Sequence, residues 1–88
     1  MPELTKPTIH LNGTSAADLR EGYVQAHRAV ELAREALCRC NPNGRDYYVV
    51  PGSLDAAIAE QIARQLRLAS VAAELLELAV HCDKFTRS

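Results

Sequence analysis

The chain contains two long segments without proline, and this feature constrains its fold more than any other. They cover residues 16–40 and 53–82 and are separated by a loop that contains Pro42-Asn43-Gly44. Heptad spacing predicts a helix in the first segment and a shallow crossing with a neighbouring helix. The residues with that spacing are Leu19, Tyr23, Ala26, Val30, Ala33, Leu37 and Cys40. We therefore expect an all-α fold: an antiparallel hairpin of two helices over about residues 15–40 and 53–82.

Local signals mark where both helices begin. Ser15, with Asp18 three residues later, is a weak form of the capping box. Ser53 is expected to cap the second helix, with Asp55 in the first turn, where a carboxylate complements the helix dipole.

The flanking segments complete a single domain of 88 residues. Residues 1–14 contain two prolines and an Asn-Gly pair, which predict an extended arm. Within it, residues 8–11 suit a short strand, as do residues 47–50 of the interhelical loop. Residues 83–88 are expected to be a frayed tail.

The second helix carries two apolar stripes, more than one partner helix can cover. Stripe A is Ile58, Ile62, Leu66, Ala69, Ala73, Leu76 and Val80, and stripe B is Leu68, Val71, Leu75, Leu78 and Cys82. An uncovered stripe of this size usually marks an interface. We expect stripe A to pack on the first helix, and Leu68, Val71, Leu75 and Leu78 of stripe B to contact another subunit of a homo-oligomer.

Composition excludes several classes of protein. Ten Lys and Arg residues oppose eleven Asp and Glu residues, which argues against a non-specific nucleic-acid binder. No apolar segment has the length of a membrane span, and no signal peptide is recognisable, so we expect no membrane partner. Three cysteines, an odd number, are expected to be reduced thiols in a cytoplasmic protein.

Neither a metal site nor catalysis is expected. Cys38 and Cys40 point to different faces of a helix, and their spacing is not that of a zinc site. His10 is the one plausible base near a candidate pocket, and its motif contains no obvious nucleophile. The sequence therefore predicts no metal, no cofactor and no enzymatic activity.

The first candidate binding motif lies immediately before the first helix and includes His10, Asn12, Gly13 and Thr14. Backbone N–H groups at a helix N-terminus bind anions, and glycine permits close approach of a ligand. The structural alternative is a turn followed by a helix cap, which requires the same residue types.

The second candidate motif is in the interhelical loop and comprises Asn43, Arg45, Asp46, Tyr47 and Tyr48. Arg45 suits a phosphate, either tyrosine can stack on a base, and Asp46 can accept from a base edge or hold Arg45. The structural alternative is an ordered connection whose tyrosines cover the end of the hairpin. Long ordered loops are nevertheless often functional.

The two motifs are expected at opposite ends of the hairpin, because the first helix is about 37 Å long. They can share one site in two ways. An antiparallel second subunit can bring its loop to the other end, which is the arrangement we favour. Alternatively, residues 1–12 can extend back along the hairpin.

The chain resembles a group of short, uncharacterised phage and prophage proteins at these two motifs. The resemblance rests on Thr-Ile-His-Leu-Asn-Gly-Thr at residues 8–14 and Asn-Gly-Arg-Asp-Tyr-Tyr at residues 43–48. In that group a proline follows the tyrosines, whereas Val49-Val50 follows here. In size and architecture the chain is also similar to phage sponge proteins, which sequester the nucleotide signals of CBASS and Thoeris immunity.

The leading hypothesis is a phage or prophage protein that binds and sequesters a nucleotide-derived immune signal at subunit interfaces, without catalysis. The ligand is of the cyclic oligonucleotide or cyclic ADP-ribose type. The alternative is a helical, oligomeric protein-interaction module that inhibits or adapts a host or phage protein, as anti-CRISPR proteins and virion accessory proteins do.

Overall fold

The computed structural model describes residues 3–86, which form three helices and no strand. They are α1 (Ala16–Cys38), the single turn α2 (Gly44–Tyr47) and α3 (Ser53–Asp83). The prediction of an all-helical fold is confirmed. The long helices α1 and α3 pack together in opposite directions, since Arg20 near the start of α1 pairs with Asp83 at the end of α3, at 3.1 Å.

The seam between α1 and α3 consists mainly of small residues and two glutamines. Within residues 3–86 the buried apolar residues are Ala16, Ala57, Ala72, Ala79 and Cys82. Gln61 is also buried, and its Nε2 donates to the carbonyl oxygen of Leu37 at 3.0 Å. One turn further on, Nε2 of Gln65 donates to the carbonyl oxygen of Arg34 at 3.0 Å. These amides join α3 to the last turns of α1.

The two stripes of α3 are buried to different extents from those expected from the sequence. Leu68, Leu75 and Leu78 of stripe B are half-buried on the side of α3 that bears the glutamines, while Val71 is 42% exposed. In stripe A, by contrast, every large side chain is exposed, from 39% at Ile58 to 66% at Leu66. The expectation that stripe A packs on the first helix is wrong, because amide hydrogen bonds and alanines turn the other side of α3 toward α1.

The expected strands are also absent from residues 3–86. Residues 8–10 are irregular, and residues 48–52 form turns after α2. The arm instead lies against the end of α3, where the Pro7 carbonyl oxygen is 2.9 Å from His81 Nε2 and Lys6 Nζ is 3.2 Å from a Glu77 oxygen. The arm contacts side chains of α3 rather than another strand, so no β-ladder forms.

The helix ends partly follow the sequence signals. Ser15 is the N-cap of α1, and its Oγ accepts from the Asp18 N–H at 3.1 Å, as predicted. Ser53 does not cap α3, because its hydroxyl donates to the carbonyl oxygens of Tyr47 and Val50. Gly52 is the N-cap, with a φ of 81° that favours glycine.

The C-terminal tail begins as a closed turn rather than a frayed end. The N–H of Phe85 donates to the Cys82 carbonyl oxygen at 3.0 Å, and Thr86 Oγ1 donates to the Asp83 carbonyl oxygen at 2.8 Å. The rest of the predicted tail, residues 87–88, and residues 1–2 of the arm lie outside the described residues.

A single copy of the chain leaves an unusually large surface exposed. Its accessible area is 6764 Å², whereas a compact monomer of this mass exposes about 5,100 Å². Its radius of gyration is 18.5 Å, against about 12 Å for a compact domain of this length. The elongated helix pair therefore buries little of its apolar surface by itself.

We expect Gln61→Ala to lower the free energy of unfolding by about 1–3 kcal/mol, because it removes a buried hydrogen bond to α1. The matched control is Gln25→Ala, which removes only an exposed bond to Glu21 and should cost less than about 0.5 kcal/mol. Urea denaturation followed by circular dichroism, at one fixed protein concentration, measures both. Equal losses of stability in the two variants would show that the Gln61 hydrogen bond does not stabilise the packing of α1 on α3.

Candidate functional site

The first motif is a closed turn in which His10 covers Gly13. The Gly13 N–H donates to the His10 carbonyl oxygen at 3.1 Å. A Cβ added to Gly13 would lie 2.8 Å from His10 Nε2, so the absence of a side chain permits the ring to approach. Asn12 and Thr14 are exposed beside this turn. Together with the Ser15 cap, this is the turn-and-cap geometry of the structural alternative, and the binding role of these residues stays a prediction.

The second motif is held together by Asn43. Its Oδ1 accepts from the Arg45 N–H at 3.0 Å and caps α2. Its Nδ2 donates to Asp46 Oδ2 at 3.0 Å. Asp46 therefore holds Asn43, not Arg45 as one interpretation of the sequence had it. These short-range bonds order the loop independently of any ligand.

The side chains best suited to a ligand in this loop face solvent. Within residues 3–86, Arg45 makes no ion pair and no side-chain hydrogen bond. Tyr48 is 81% exposed, while Tyr47 is half-buried and its carbonyl oxygen accepts from Ser53. The loop thus presents a guanidinium and one aromatic ring on a preformed turn.

The structure does not bring the two motifs together within one chain. The first precedes α1 and the second follows it, and the 23 residues of α1 span about 34 Å. The described part of the arm contacts Glu77 and His81 at the end of α3, far from the interhelical loop. The route in which the arm extends back along the hairpin to the loop is therefore not the one that the described residues follow.

Two open grooves lie between α1 and stripe A. The groove nearer the interhelical loop has a volume of about 480 Å³ and is lined by Ile62, Leu66 and Ala69 of α3 and by Glu31, Arg34 and Glu35 of α1. The other has a volume of about 360 Å³ and includes Leu76 and Val80 with Val24 of α1. Both grooves are therefore walled on one side by stripe A.

Stripe A is the candidate surface that the sequence reasoning misassigned. The signal that identifies the true seam was present, since positions 61, 65, 68, 72, 75, 79 and 82 follow the same heptad spacing as α1. Both series contain two alanines, but the two glutamines make this series less apolar than stripe A, so an argument based on hydrophobicity does not select it. Hydrogen bonding of the glutamines decides the orientation.

The ionisable side chains show no arrangement typical of a metal centre. Within residues 3–86, no three His, Cys, Asp or Glu side chains converge on a point where they could hold an ion. Cys38 and Cys40 are exposed on α1, and Cys82 is buried at the far end of α3. No helix in the same range is both long and apolar enough to cross a membrane.

Comparisons with protein-family models, curated proteins and solved structures found no match to this chain.

We expect Asn43→Ala to loosen the α2 turn, because it removes the cap and the bond to Asp46. Loss of an N-cap typically costs about 1 kcal/mol, so amide exchange at Arg45 should accelerate about fivefold. Asn12→Ala, an exposed residue of the other motif, is the matched control and should leave this exchange unchanged. Hydrogen exchange followed by NMR measures both, and an unchanged rate in Asn43→Ala would contradict the assigned cap.

Proposed function

We propose that this chain is a helical protein-interaction module that acts by binding through stripe A, without catalysis. The observation that carries the proposal is one continuous row of exposed aliphatic side chains on α3. Ile58, Ile62, Leu66, Leu76 and Val80 are 39%, 56%, 66%, 51% and 53% exposed. Isolated exposed aliphatic residues are ordinary, but a contiguous row of this kind marks an interaction surface.

The size of the row supports a macromolecular partner rather than a small molecule. From Ile58 to Val80 it extends about 33 Å, at 1.5 Å per residue. The grooves beside it are open to solvent along this length, and they follow the cleft between the two helices. An elongated apolar surface of this shape fits a helix laid along it, as in helix-in-groove recognition.

The poor burial of the single chain supports the same conclusion. The buried apolar residues within residues 3–86 are four alanines and a cysteine, whereas the large side chains of stripe A face solvent. Covering them removes apolar area from water at about 25 cal/mol per Å². Association is therefore expected to stabilise the fold as well as to carry its function.

We expect Leu66→Glu to abolish association through stripe A, because it places a charge in the apolar row. The matched control is Leu32→Glu, since Leu32 is an exposed leucine of α1 (55%, against 66% for Leu66) that lines neither groove. The two variants and the wild type are each immobilised and tested for retention of a second, tagged copy and of proteins from host extract.

A species retained by the wild type and by Leu32→Glu, but lost with Leu66→Glu, is the expected result. Equal retention by all three proteins would overturn the proposal, because binding would not depend on stripe A. Circular dichroism of each variant verifies that the helices are intact.

A second candidate function is capture of a nucleotide-derived signal by the interhelical loop, in the host cytoplasm and without turnover. The observation that favours it is the exposed pair of a free guanidinium, Arg45, and an aromatic ring, Tyr48, on a preformed turn. Arginine binds phosphate through two parallel hydrogen bonds, and an exposed tyrosine can stack on a base. The phage sponge proteins described above sequester ligands of this class.

We expect Arg45→Ala to weaken binding of a cyclic di- or trinucleotide or of cyclic ADP-ribose at least tenfold, if this second function holds, since a charge-assisted hydrogen bond contributes about 1.5–3 kcal/mol. The matched control is Arg67→Ala, an exposed arginine on α3 away from the loop. Native mass spectrometry with each nucleotide measures the occupancy. This function would be excluded if the wild type binds none of these nucleotides, or if Arg45→Ala binds them as well as the wild type does.

A further inference from the structure

Six of the seven residues of stripe A form a series that is symmetric about its midpoint, and this symmetry points to its partner. From Ile62 to Val80 the stripe residues are spaced four, three, four, three and four residues apart. The series reads the same in both directions, and its centre is at the position of Val71. A helix with such a series can pair in the opposite direction with a copy of itself, so that each of these six residues faces another of the six.

The side-chain sizes match in the same register. An antiparallel copy centred on position 71 places Ile62 opposite the partner's Val80, Leu66 opposite the partner's Leu76, and Ala69 opposite the partner's Ala73. Large side chains thus meet large ones toward the ends, and alanines meet at the centre, where the helices approach most closely. Identical patches that meet in this way form the isologous interface of a two-fold dimer.

Charges at the two ends of the stripe select the antiparallel direction. Between Ile58 and Val80 the stripe has no charged member, and it is bounded by Asp55 in the first turn of α3 and by Lys84 at its C-cap. In the antiparallel register Asp55 lies within one helical turn of the partner's Lys84, so that opposite charges are close. A parallel copy would instead place Asp55 beside the partner's Asp55. Opposite charges across an interface also set its register.

The available area is sufficient for a stable dimer. A strip about 33 Å long and about 10 Å wide amounts to about 330 Å² for α3, and the adjoining flank of α1 roughly doubles it. Two copies would then bury about 1,300 Å² in total, within the range of specific interfaces. The single chain exposes more surface than a compact monomer of its mass, and this excess is comparable to the area that the dimer would bury.

We infer that stripe A is covered by a second copy of this chain, packed antiparallel about a two-fold axis that passes between Ala69 and Ala73. This inference rests on the proposed interaction function and names its partner. It replaces stripe B with stripe A as the subunit interface.

The same arrangement brings the two sequence motifs to one end of the dimer. Ile58, near the start of α3, faces the partner's Lys84, so the start of each α3 is level with the end of the other. The loop that contains Arg45 adjoins the start of α3, and the His10 turn adjoins its end, where Arg20 pairs with Asp83. Each end of the dimer therefore combines the loop of one copy with the His10 turn of the other.

Cysteine cross-linking tests the direction and the register together. Leu66→Cys and Leu76→Cys are each made in a background with Cys38→Ser and Cys40→Ser, which removes the exposed thiols. The two variants are oxidised separately and as an equal mixture. A disulfide requires Cα atoms within about 7 Å, whereas two copies of position 66 are about 15 Å apart along the proposed dimer.

The mixture should therefore give a disulfide-linked dimer, and each variant oxidised alone should give about tenfold less of this dimer. Sedimentation should give twice the chain mass of 9.6 kDa, or an even multiple of it. Cross-linking of each variant with itself, as strong as in the mixture, would establish a parallel pair and overturn the inference.

A monomer at every concentration would also overturn it. In that case, a host protein retained by the wild type and lost with Leu66→Glu would leave the interaction function standing without the dimer. If stripe A retained neither a second copy nor any other protein, the dimer and the interaction function would both be overturned.

Discussion

Hydrogen bonds from two glutamines of α3, one buried and one half-buried, to backbone carbonyls in the last turns of α1 are the contacts on which the rest of the structure depends. Gln61 and Gln65 lie one turn apart, and each donates to a backbone oxygen of the opposite helix. Because an amide buried without a partner is costly, these bonds favour the packing in which both glutamines reach α1. They fix the rotation of α3 about its axis, so that alanines face inward and stripe A faces solvent.

Both loop motifs, in contrast, are organised by bonds to their own neighbours in sequence. Ser15 caps α1, the His10 ring covers Gly13, and Asn43 orders the turn that presents Arg45. Such turns form without help from the distant end of the molecule, and a single chain has no means of joining them. A shared ligand site therefore depends on association, which makes the interface between copies the first question for any binding function.

In the proposed interaction, the exposed stripe would link stability to function. A helix pair whose buried apolar residues are alanines and a cysteine has a narrow seam, and the large aliphatic side chains of stripe A stay exposed. The spacing of these side chains, and the charges at the two ends of the row, suit an antiparallel copy. Such a dimer would cover the stripe and give each end of the assembly one copy of both motifs.

The sequence by itself determined the helices, because proline placement, heptad spacing in α1 and the Ser15 cap act over a few residues. It did not determine which side of α3 packs on α1. Stripe A is richer in isoleucine and leucine, and hydrophobicity alone favoured it for the seam. Likewise, Asp46 binds Asn43 rather than Arg45, and the arm meets His81 rather than a strand. Tertiary structure decided these points: heptad spacing marked two possible seams on α3, and whether Gln61 and Gln65 reach carbonyls of α1 depends on the packed geometry.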